Sequence, residues 1–205
     1  MNKKYELVTD DTISLFGRTL FRIRALISFG DVEAGDLGGY IEKEENLVHE
    51  GNAWVSGDAE VWGNAWVSGN AWVSGDAEVW GNAKVSGNAK VWGDAEVSGD
   101  AEVWGNAWVS GNAKVSGNAE VWGDAEVSEI GDIIVFKNHW SSGRHFTYTK
   151  SNKMWKVGCF YGTGQELIQK AYQDSEKCGK CYEAYVNFVL ELERIEGEYD
   201  TSGTH

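Results

Sequence analysis

At 205 residues with 42% hydrophobic content, the chain is long enough to bury a substantial core, and the absence of proline suits uninterrupted β-structure. A formal net charge of −14 argues against general binding to nucleic acid, because that affinity comes from Lys and Arg displacing counterions around phosphates. Three cysteines fit a reducing compartment better than a disulfide framework, and no apolar run is long enough for a signal peptide or a membrane span, so a cytoplasmic protein without a membrane partner is expected.

Residues 1 to about 46 hold β-like stretches in which Phe21, Ile23 and Ala25 alternate with Arg22 and Arg24. One apolar side and one charged side suit a sheet that covers the open end of the next element, an N-terminal β cap. From Asn52 to Ser128 the chain then repeats Gly-Asn/Asp-Ala-X-Val-Ser/Trp without a missed beat, with valine at 55, 61, 67, 73, 79, 85, 91, 97, 103, 109, 115, 121 and 127. A period this strict predicts a solenoid. Ala and Val fall on the inner side of each short strand, X and Ser/Trp on the outer side, and Gly-Asn or Gly-Asp supplies the bend. Three strands and three bends make a coil of about 18 residues, so the repeat predicts a little over four coils, roughly 4.8 Å apart and about 20 Å in all.

After the repeat, Ile133–Phe136, His145–Tyr148 and Met154–Val157 read as strands, the last two joined by a turn at Ser151-Asn152-Lys153. A single helix is expected from about Thr163, where Thr163 and Glu166 have the spacing of a capping box. Leu167, Ala171, Cys178, Tyr182, Tyr185, Val189 and Leu192 form its apolar stripe. The expected fold class is mainly β: a cap over 1–46, a parallel solenoid over 47–129 and a small α+β domain over 130–205.

Wrapping the repeat at its coil length shows what each face presents. On the first face the outer column reads Trp54, Trp72, Lys90, Trp108, Glu126, and the neighbouring column is serine except for Trp92. The second face reads Glu60, Glu78, Glu96, Lys114 beside Trp62, Trp80, Ser98, Ser116; with Asp58, Asp76 and Asp94 at the preceding corner, six carboxylates share one edge. These either stay solvated, pair with cap arginines such as Arg18, Arg22 or Arg24, or hold a hard cation; a solvated edge without metal is the expectation. The third face reads Trp66, Lys84, Glu102, Glu120 beside Ser68, Ser86, Trp104, Trp122. Nine indoles are thereby assigned to the outside, more than a soluble monomer ordinarily exposes, and Asn52, Asn70, Asn88 and Asn106 should form an amide ladder at one corner.

The unit Gly-Asn-Ala-X-Val-X resembles the hexapeptide repeat of left-handed parallel β-helix proteins. The flanks Gly38-Gly39-Tyr40-Ile41-Glu42 and Met154-Trp155-Lys156-Val157-Gly158-Cys159-Phe160 are similar to those of phage and prophage hexapeptide proteins. The resemblance implies a left-handed coil and a homotrimer whose faces pack on one another, burying tryptophans as anchors. It also invites an acyltransferase reading, but the regular repeat holds no histidine: His49 precedes it, in the register of a core valine, where it would face either inward or toward the cap, and His139, His145 and His205 follow it.

The leading expectation is a non-catalytic, homo-oligomeric binding solenoid. Its specific form is a phage sponge that sequesters a host nucleotide-type immune signal, with Trp54, Trp72 and Trp108 stacking on a base and Lys90 meeting phosphate. The alternatives are a scaffold for a protein partner and a hexapeptide acyltransferase. The candidate ligand or interface residues are Trp54, Trp72, Lys90, Trp92, Trp108, Trp62, Trp80, Trp104 and Trp122. Arg144, Lys156, Thr163 and Gly164 form a candidate anion contact at the helix start. No cofactor is expected, and Cys178-Gly179-Lys180-Cys181 reads as core thiols rather than half a zinc site.

Overall fold

The computed structural model describes residues 3–202. Three strands open the chain, β1 (Tyr5–Leu15), β2 (Arg18–Ala25) and β3 (Leu37–Ile41), followed by thirteen two-residue strands, β4 (Trp54–Val55) through β16 (Glu126–Val127), one per repeat unit. Every interior alanine and valine from Ala71 to Ala125 is fully buried. Each coil stacks in parallel on the next: the Trp54 N–H donates to the Ala71 carbonyl at 3.0 Å, Glu60 to Ala77 at 2.9 Å and Trp66 to Ala83 at 2.9 Å, once on each face. At the corners the glycines have positive φ; at Gly75 (φ +72°) an added Cβ would also lie 2.9 Å from the Gly93 nitrogen, so backbone and packing both exclude a side chain there.

The parallel stack begins earlier than the repeat. Strands β1, β2 and β3 form an antiparallel meander, and β3 joins the second face in parallel, with Tyr40 beside Glu60 and Ile41 beside Val61. Leu47 bridges to Val67 on the third face. Ile41 and Leu47 therefore stand where valines stand above them, and the solenoid has about five turns rather than a little over four. The step from Leu47 to Val55 is two residues longer than a repeat unit. This corrects the core register expected for His49, since Leu47 takes that position, and leaves the cap-facing orientation of the two expected, with the His49 ring 4.5 Å from that of Tyr5.

At the other end β17 (Ile133–Lys137), β18 (His145–Thr149), β19 (Met154–Val157) and β20 (Phe160–Thr163) form an antiparallel meander. It closes the last coil by accepting N–H groups that would otherwise seek another coil: Glu120 N–H donates to Thr147 Oγ1 at 2.9 Å and Glu126 N–H to Ser151 Oγ at 2.8 Å. Two helices, α1 (Gly164–Asp174) and α2 (Glu176–Ser202), replace the single helix expected. The Thr163–Glu166 capping box opens α1. The break falls at Ser175, whose extended backbone ends α1 and whose hydroxyl accepts the Cys178 N–H at 3.1 Å, the geometry of an N-cap for α2. Phe146, Tyr148, Trp155, Leu167, Tyr182 and Val189 form the core between sheet and helices.

Candidate functional site

The wrapped columns agree with the observed pairing: Trp72 and Trp108 flank Lys90 on the first face, and Glu78 and Lys114 flank Glu96 on the second. The amide ladder forms, with Asn52 to Asn70 at 3.1 Å, Asn70 to Asn88 at 3.0 Å and Asn88 to Asn106 at 2.9 Å. A second ladder, Asn64 to Asn82 to Asp100, runs along another corner at 3.1 and 2.8 Å.

Two of the nine indoles assigned to the outside are corrected. Trp54 is 2% exposed and Trp62 6% exposed. Both point outward from the coil, but the cap covers them: Phe29 meets the Trp54 ring edge-on at 5.4 Å, and Trp62 packs with Leu20 and Tyr40 while stacking on Trp80 at 5.1 Å. Trp72, Trp80 and Trp122 are half-buried. Trp66, Trp92, Trp104 and Trp108 remain 42–49% exposed.

The first face carries an open cleft of about 520 Å³ lined by Gly30, Asp31, Asn52, Asn70, Trp72 and Lys90. Its outer wall is the tip of the turn between Phe29 and Val32, which exchange backbone hydrogen bonds at 2.9 Å. The Gly-Asp pair is a recognisable turn signal, but nothing local to residues 30 and 31 shows that the turn folds beside residue 72. The Lys90 ammonium lies 5.1 Å from the centre of the Trp108 ring. It makes no ion pair among the described residues, whereas Lys84 pairs with Glu102 and Lys114 with Glu96, each at 2.8 Å.

The acidic edge is partly neutralised from within the chain. Arg22 pairs with Asp58 at 3.3 Å as well as with Asp11 at 2.9 Å, and Lys114 pairs with Glu96, whereas Arg18 and Arg24 pair with Glu42 and Glu6, which lie off that edge. Burial, reinforced by the carboxylate one coil away, raises the pKa of Glu60 and Glu78. Glu60 Oε2 is buried without a hydrogen-bond partner among the described residues. No group of three or more His, Cys, Asp or Glu side chains is placed to hold a metal among the described residues. In the cap, burial lowers the Lys4 pKa to about 8, against the opposing charge of Glu50; its ammonium donates to the Ala53 carbonyl at 2.8 Å.

The candidate anion contact does not assemble. The Lys156 ammonium is buried over the Trp122 ring at 4.0 Å and pairs with Glu120 at 3.2 Å. At the start of α1 the Glu166 carboxylate already takes the Thr163 N–H at 2.8 Å and its hydroxyl at 2.9 Å, contacts that hold the Glu166 pKa below its usual range. Gly164 packs against Val186 and Trp155, and Arg144 lines a separate small cavity with His145 and Cys159. His49 Nδ1 accepts the Lys4 N–H at 3.3 Å, and His139 lies 3.4 Å from the Tyr185 hydroxyl. His205 lies outside the described residues. Cys159, Cys178 and Cys181 are free thiols, the last two half-buried. No described helix is long and apolar enough to cross a membrane. Comparison of the chain with family models and with curated proteins gives no match.

Proposed function

We propose that this chain is a non-catalytic β-solenoid binding protein that works as a closed assembly of identical copies, a left-handed homotrimer in the form the hexapeptide resemblance implies. The exposure of Trp66, Trp92, Trp104 and Trp108, at 42–49%, on the sides of a regular prism carries this reading. Indoles presented in quantity on a regular surface are the usual anchors of contacts with partners and ligands.

A narrower form is stoichiometric capture of a nucleotide-type ligand, the role that similarity to phage proteins suggests. The first-face cleft supports it. Trp72 lines it, and Lys90, whose ammonium lies over the Trp108 ring, has no carboxylate partner among the described residues. Trp54, covered by the cap, has no part in it.

A native mass spectrum of gently purified protein tests both levels. A closed oligomer carrying a reproducible extra mass, lost in Trp108→Ala and Lys90→Glu, is expected; a bare monomer sinks the reading. A second reading, a scaffold that binds a protein through its C-terminal domain, draws on Phe188 and Leu190, 51% and 56% exposed on α2. Phe188→Asp would abolish partner binding under that reading and leave ligand capture intact.

A further inference from the structure

The third face holds a groove distinct from the first-face cleft, with a volume of about 380 Å³ and an indole at either end, Trp66 and Trp104. These rings are 42% and 44% exposed. Trp104 is fixed from behind. Its ring meets Trp122 edge-on at 4.4 Å, and Trp122 is in turn covered by the Lys156 ammonium, while its carbonyl accepts the Tyr161 hydroxyl at 3.2 Å. Trp104 also lies against Gly87, where a Cβ would come within 2.8 Å of its Cδ1, so any larger residue at 87 would push the indole away. An aromatic platform set in place before binding loses little freedom when a ligand arrives.

Between the indoles, Ser68 and Ser86 line the groove, and the hydroxyl of neither is hydrogen-bonded to another described residue. Ser68 is only 7% exposed, so this residue belongs to the floor of the groove rather than to its rim. Along one side Lys84 and Glu102 form an ion pair at 2.8 Å. That pair leaves the groove without net charge while keeping spare N–H donors and carboxylate lone pairs at its edge.

Each feature narrows the ligand. A strongly anionic or cationic molecule would have to displace one member of the Lys84–Glu102 pair. A wholly apolar molecule would cover the serine hydroxyls without satisfying them, at a desolvation cost. A neutral ring with polarised C–H bonds on its flat side and hydroxyls around its rim meets every surface at once: C–H against the negative face of the indole, hydroxyls to Ser68, Ser86, Lys84 and Glu102. We infer that the third-face groove binds a neutral sugar ring stacked on Trp104. The inference rests on the faces being binding surfaces, and it goes beyond that reading in assigning a second site with a different preference: the first-face cleft presents an unpaired ammonium, the third-face groove a neutralised one.

The test is titration of the intact protein with cellotriose, maltotriose and chitotriose, followed by tryptophan fluorescence and calorimetry, with the assembly size of each variant measured by sedimentation. Saturable binding of at least one trisaccharide is expected, weakened about tenfold or more in Trp104→Ala and unchanged in Phe16→Ala, an exposed aromatic at the turn between β1 and β2. Should Trp104→Ala fold poorly, Trp66→Ala carries the same expectation without disturbing the Trp122 contact. No saturable binding by any of the three sugars overturns the inference, as does an equal loss in Phe16→Ala. If no sugar binds and Trp104→Ala splits the assembly into smaller species, the groove is a contact between copies; the sugar site is then wrong while the assembly reading stands.

Discussion

The two hydrophobic cores of this protein are built from opposite materials. Inside the coils every position from Ala71 to Ala125 is alanine or valine, and every repeat tryptophan points away from the axis. The C-terminal domain builds its core from aromatics, with Phe146, Tyr148, Trp155 and Tyr182 in ring contact. The difference follows from repetition. A solenoid interior must accept the same side chains in every coil, so two small residues recur and the chain's individuality moves to its outer columns. The C-terminal domain occurs once, and its rings are free to fit one another individually. Chemistry that distinguishes this solenoid from any other is therefore found on its faces.

That contrast can be broken most sharply at adjacent residues. Val91 is fully buried between Val73 and Val109, so Val91→Asp places an unpaired carboxylate in the stack. It is expected to cost at least about 3 kcal/mol in urea denaturation. Trp92→Ala, one residue along and on the outside, is expected to change stability by less than about 0.5 kcal/mol. Equal effects would mean that the outer indoles hold the coil together and are not free for partners. An effect between these two is expected from Ser175→Ala, which removes the hydroxyl that caps α2 and should destabilise the C-terminal domain by about 1 kcal/mol. Near-ultraviolet circular dichroism, dominated by the packed aromatics, should report the loss while hydrogen exchange in the coils between Ala71 and Val109 stays unchanged.

What the sequence revealed divides along the same line. The coil length, the face assignments and the amide ladder were all legible, because translation by one coil converts sequence spacing directly into contact. The extra turn at Ile41 and Leu47 was hidden because neither residue carries the repeat motif and their corner is longer by two residues. The burial of Trp54 and Trp62 was hidden for a related reason: outward direction is a local property of a strand, whereas coverage depends on where Phe29, Leu20 and Tyr40 of the cap fold. The Ser175 break was carried by a serine in the middle of a helical stripe, a signal outweighed by the apolar periodicity on both sides. Of the candidate site, Trp72, Lys90 and Trp108 could be placed together from spacing alone, while the Gly30–Asp31 wall could not.

The smallest expected effect tests whether the outer columns are selected for something other than stability. Glu60, Glu78 and Glu96 stack at coil spacing with Lys114 at one end only, and burial with a neighbouring carboxylate raises the pKa of Glu78 above its ordinary 4.5. A carboxyl whose folded-state pKa is raised binds its proton more tightly in the native state than in the unfolded chain. It therefore imposes a penalty that is fully present above the raised value and is relieved as pH falls through that value toward 4.5. Glu78→Gln removes the charge, and because the column is partly solvated and screened the gain at neutral pH should be only roughly a few tenths of a kcal/mol. Thermal melts of wild type and variant across about pH 4 to 8 should show the variant's advantage shrinking as the solution is acidified. An advantage independent of pH would place its origin in packing rather than charge. If the advantage at neutral pH does fade on acidification, the acidic column is a standing electrostatic cost, and a solenoid that needed only to be stable would not have kept it.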